Sequence, residues 1–72
     1  MASTVKAGNW FIRISPKDAT RLERSSDCKN WSALTPVPAK CLDLEGKSNG
    51  DCIIETDKGR MIRTASGNVR KY

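Results

Sequence analysis

The last fifteen residues carry Lys58, Arg60, Arg63, Arg70 and Lys71 and no acidic side chain. Residues 1–57 hold eight Lys or Arg and eight Asp or Glu, so the whole formal charge of +5 falls in this short stretch. Clustered cations attract a polyanion by releasing its counterions, and the planar guanidinium can grip a phosphate with two hydrogen bonds. The chemistry expected of these residues is therefore reversible binding, either to the phosphates of RNA or DNA or to an acidic protein surface. Two aromatic residues extend the candidate set. Trp31, flanked by Lys29-Asn30 and Ser32, and Tyr72 at the end of the basic stretch offer faces on which a base stacks or a partner protein anchors. The competing reading is a solvated basic strand that keeps a small domain soluble and blunts a sheet edge.

Catalysis is not expected. The chain has no histidine, which removes the commonest general base and the usual partner of a nucleophilic Ser or Cys. Asp43, Glu45, Asp51, Glu55 and Asp57 crowd one hairpin, where solvated surface positions are the simplest account. Three cysteines, Cys28, Cys41 and Cys52, form no CxxC pair, so neither a zinc site nor any other cofactor is implied. An odd count without the apolar core of a signal peptide favours reduced thiols and a cytoplasmic setting. No apolar run approaches the roughly 18 residues of a membrane-spanning helix.

These groups need a scaffold, and the clearest one runs from Lys40 to Thr64. Cys41–Glu45, Cys52–Thr56 and Arg60–Thr64 alternate apolar and polar residues, and Ser48-Asn49-Gly50 and Asp57-Lys58-Gly59 separate them. The pattern predicts a three-stranded antiparallel meander joined by three-residue turns. Pairing Lys47 with Asp51 sets Leu44 opposite Ile54, Leu42 opposite Thr56 and Gly46 opposite Cys52. Pairing Thr56 with Arg60 sets Ile54 opposite Ile62. Leu42, Leu44, Cys52, Ile54 and Ile62 then share the core face, Cys41 takes the opposite one, and Arg63 points outward. A last strand over Val69–Tyr72, with Val69 opposite Thr64, brings Arg70 beside Arg63.

Upstream, residues 1–8 read as a loose arm and Trp10–Ile14 as a strand with Trp10, Ile12 and Ile14 inward. Ser15-Pro16-Lys17-Asp18 carries helix-start residues, which predicts either a short helix from Pro16 to about Arg24 or an irregular loop. On such a helix Lys17, Arg21 and Arg24 mix with Asp18 and Glu23 as an ordinary solvated face. Thr35-Pro36-Val37-Pro38 is a stiff extended connector, since proline removes ladder donors. The reading is one mainly β domain over 9–72. Its expected form is a curved antiparallel sheet, or a small, partly open, SH3-like barrel, of four or five short strands. One short helix or loop excursion follows the first strand. The expected role is non-catalytic, sequence-tolerant nucleic-acid binding through the C-terminal basic strand pair. The alternative is a protein–protein module, an inhibitor or accessory subunit docked on a larger machine.

Overall fold

The computed structural model describes residues 4–72 and shows an all-β chain of eight strands. They are β1 (Thr4–Ala7), β2 (Trp10–Ile14), β3 (Leu22–Ser25), β4 (Ser32–Ala33), β5 (Cys41–Gly46), β6 (Cys52–Thr56), β7 (Gly59–Arg63) and β8 (Val69–Lys71). The first four make one antiparallel meander and the last four another, each in chain order. No helix among the described residues is long and apolar enough to cross a membrane. Ala7, Ile12 and Leu22 from the first sheet and Leu44, Cys52, Ile54 and Met61 from the second form one buried core. Burying side chains of the Ile or Leu kind contributes roughly 1.5–3 kcal/mol each, which is what a chain of this size has to offset its ordering entropy.

The meander from Cys41 onward is present, with its first hairpin in the expected register. Lys47 donates to the Asp51 carbonyl at 2.8 Å, Leu44 lies opposite Ile54, and Gly46 lies opposite Cys52. Gly50 takes a φ of 99°, the left-handed conformation that the three-residue turn needs. Two details differ. A bulge between Cys41 and Asp43 turns Cys41 into the core and leaves Leu42 exposed, although the alternation had placed Leu42 inside. Such an extra residue on one strand re-aims the side chains beside it.

The second difference has larger consequences. Thr56 lies opposite Gly59, not Arg60, because the turn closes on Asp57 and Lys58 alone. The Thr56 hydroxyl accepts from the Lys58 amide at 3.1 Å and donates to the Gly59 carbonyl at 2.5 Å. A slip of one residue turns every side chain of a strand to the other face. Met61 therefore faces Ile54 in the core between the sheets, and Ile62 faces Ile53 on the other side of the sheet, where both are nonetheless buried. The following turn shifts the partner strand as well: Thr64 donates to Asn68, and Val69 lies opposite Arg63.

No helix forms: residues 16–21 make a loop, the alternative the sequence left open, and Leu22–Ser25 is strand β3. Ser15 donates from its amide to the Arg21 carbonyl at 2.9 Å, closing a hairpin between β2 and β3. Asp18 shapes the loop, accepting at one carboxylate oxygen from both the amide and the hydroxyl of Thr20. These hydrogen bonds are local side-chain alternatives to a helical turn, the habit that makes Ser and Asp turn residues as well as helix starters. The chain after the β2–β3 loop is thus part of the sheet, supplying β3 and β4. The proline connector runs beside the β2–β3 loop, with the Val37 amide bonded to the Thr20 carbonyl at 2.7 Å. At the other end, Thr4–Ala7 is a paired strand where an arm was expected. Residues 1–3 of that arm lie outside the described residues.

The two sheets meet most closely where β1 passes β5. Gly8 donates to the Lys47 carbonyl at 3.0 Å. A Cβ on Gly46 would stand 2.6 Å from the Lys6 carbonyl carbon and closer still to its oxygen. Only glycine lets the two backbones approach this far.

The thiols are free at all three positions: Cys28 is exposed, and Cys41 and Cys52 are buried. Burial pushes the Cys52 thiol up to about 11, with the Arg63 charge opposing. A thiol reagent at neutral pH should therefore label one group on the native protein and three after denaturation. Three fast groups on the native protein would contradict the packing of β5 and β6.

Candidate functional site

Arg63 ends β7, and the register of that strand turns it toward the first sheet rather than toward solvent. It is 9% exposed and makes no side-chain hydrogen bond or ion pair among the described residues. Among the described residues its Nε is one of two buried side-chain polar atoms without a partner, the other being Asp43 Oδ1. Burying a guanidinium costs free energy unless another group replaces its lost water. Burial, and after it the charge of Arg24, draw Arg63 below the ordinary arginine value, with Cys52 opposing. Arginine nonetheless remains charged at neutral pH.

Arg24 comes from β3. It lies opposite Ile12 and shares the parity of Leu22, so it too belongs to the inner side of its sheet. Its guanidinium sits 4.3 Å from the centre of the Trp10 ring, a cation–π distance. Trp10, at the start of β2, is 41% exposed. Arg24, Arg63 and Trp10 line one cleft of about 310 Å³ between the sheets. Gly8 and Asn9 of the β1–β2 turn form one wall, and Ser48, Asn49 and Gly50 of the β5–β6 turn form another. Ala65 closes the rim, and no carboxylate lines it. The nearby Asp51 is engaged, accepting from the Ala65 amide at 2.9 Å and from Asn49. The arrangement is two like charges beside an indole and several small polar groups, suited to holding an anion.

The other C-terminal cations are distributed differently. Arg60 lies on the outer face of the second sheet, where its Nε meets Glu55 at 2.6 Å and its guanidinium lies 5.9 Å from the Tyr72 ring centre. Glu55 is its cross-strand neighbour, so the basic stretch is not a field of one sign. Arg70 faces Ile62 on that outer face, opposite in direction to Arg63, although the two were expected side by side. Lys71 is exposed on the edge strand, and Lys58 is exposed in the two-residue turn. Trp31 is half-buried and stacks with Arg13 at 4.2 Å on the far side of the first sheet, where Arg13 also pairs with Glu23 at 2.8 Å. The structure thus brings Arg60, Arg70 and Tyr72 together, sends Arg63 to the cleft, and leaves Trp31 apart from both.

Trp10 was not among the expected site residues, and Arg24 was only a secondary extension of the basic surface. The expected helix sets Arg24 on a solvated face. Had Leu22-Glu23-Arg24-Ser25 been read as a strand, its alternation would have set Arg24 beside Leu22 on the inner side. Among the described residues, no group of three or more His, Cys, Asp or Glu side chains is placed to hold a metal ion. Comparison of the chain with protein-family models, with curated proteins and with solved structures finds no match.

Proposed function

We propose that this chain is a non-catalytic nucleic-acid-binding protein whose phosphate seat is the cleft holding Arg24 and Arg63. The observation that carries the reading is Arg63, a buried cation with no acidic partner that lines a polar cleft together with Arg24. A phosphate in the cleft would offset the repulsion between Arg63 and Arg24, and charge-assisted hydrogen bonds to a guanidinium are the strong ones. The outer cluster of Arg60, Arg70 and Tyr72, with Lys58 and Lys71 nearby, contributes longer-range attraction to the same polyanion. Contacts to phosphate position a strand without reading its sequence, so binding is tolerant of sequence and steep in salt.

Salt titration of oligonucleotide binding tests this. Each phosphate contact on a single strand contributes about −0.7 to the slope of log affinity against log salt. Arg24→Gln combined with Arg63→Gln should flatten the slope by about 1.4 and weaken binding at every salt concentration. Arg70→Gln, on the outer face, should weaken binding less. An unchanged slope in the cleft double variant would move the site to the outer cluster. If neither RNA nor DNA binds the wild-type protein at low salt, the protein-partner reading takes its place.

A further inference from the structure

The cleft carries more than charge. Arg24 covers the Trp10 ring at 4.3 Å, yet the ring remains 41% exposed and lines the same cavity as Arg63. A stacked arginine holds an indole in place and leaves ring surface to a flat ligand. Asn9 and Ser48 line the cleft with an amide and a hydroxyl able to meet a base edge, while the Asn49 amide is engaged with Asp51. The volume of about 310 Å³ is at the lower end of ligand sites, roughly 300–1,000 Å³. It suits one nucleotide unit and is too small for a duplex, whose bases are in any case stacked on one another and present no free face.

We infer that the cleft takes a single-stranded nucleic acid, with one unstacked base against Trp10 and its phosphate on Arg63. This rests on the phosphate-seat reading above and adds strand state and a base contact to it. Stacking on an aromatic side chain is sequence-tolerant because every base has a π-face. Duplex DNA offers the phosphate but not the base face, and inorganic polyphosphate offers only charge.

The test uses the full chain with Trp31→Phe, so that tryptophan emission reports Trp10 alone. A short oligothymidylate, the same length of duplex and inorganic polyphosphate of matched charge are titrated at one low salt concentration. The expected result is quenching by the oligothymidylate and binding about ten-fold or more tighter than either other ligand. Trp10→Leu should remove that margin while leaving polyphosphate binding within about two-fold. The comparison among ligands on the Trp31→Phe protein does not depend on how well the Trp10 variant folds. Equal binding of oligothymidylate and polyphosphate, without quenching, overturns the base contact and leaves the phosphate seat standing. Tightest binding to the duplex also overturns it. If none of the three binds, the phosphate seat fails together with the inference built on it.

Discussion

Gly46→Ala is expected to cost about 3 kcal/mol or more, the upper range for forcing extra volume into a packed site. The added methyl would meet the Lys6 carbonyl, and backbone on both sides leaves no flexible side chain to give way. Either β1 lifts from β5 or the Gly8–Lys47 hydrogen bond breaks. A domain of this size has only a few kcal/mol of stability in all, at roughly 0.05–0.15 kcal/mol per residue. With about 4–8 °C of midpoint per kcal/mol, the melting temperature should fall by about 12 °C or more. Gly59→Ala is the control. It has a φ of 110° but meets no atom within 4 Å, so it carries conformational strain alone, about 1–2 kcal/mol. Coincident melting curves for the two variants would contradict the close crossing of β1 and β5.

Arg63→Met should act in the opposite direction. Methionine keeps an apolar stem of similar reach and removes an unpaired buried charge from beside Arg24. Replacing buried charges by packed apolar groups is often neutral or stabilising by about 1–4 kcal/mol. The ligand-free variant is therefore expected to melt about 4–8 °C higher while losing most of its affinity for oligonucleotide. A binding residue that weakens the empty fold is a familiar trade of stability for function. A variant that melts several degrees lower would mean that Arg63 is held by contacts that stabilise the fold.

The sequence made the second sheet legible through alternation and glycine turns, and the first sheet much less so. Leu44 opposite Ile54 followed from the Ser48-Asn49-Gly50 turn alone. The β6–β7 register did not, because Asp57-Lys58-Gly59 suits a two-residue turn as well as a three-residue one, and the Thr56 hydroxyl favours the tighter closure. That single step decides whether Arg63 faces water or Arg24. The bulge that exposes Leu42 leaves no sequence signal beyond an alternation that looks regular. In the first sheet, Ser15, Pro16 and Asp18 are residues that start helices and also build turns, and long-range pairing with β2 decided between them. The basic character of the site was readable from composition. Its position was not, since Arg24 and Arg63 are 39 residues apart in sequence and only the packing of the two sheets brings them to one cleft.

If Arg63 is a binding group that awaits an anion, paired melting curves reveal it. Wild-type protein and Arg63→Met are melted at low salt, each with and without a single-stranded oligonucleotide at about 100 times the wild-type Kd. Ligand binding to the native state alone stabilises by about 2.7 kcal/mol at that ratio. The wild type is expected to start lower and to rise by about 10 °C or more with ligand. Arg63→Met should start higher and shift by no more than a degree or two. Equal ligand-induced shifts in the two proteins, or a variant that starts lower than the wild type, would contradict that role for Arg63.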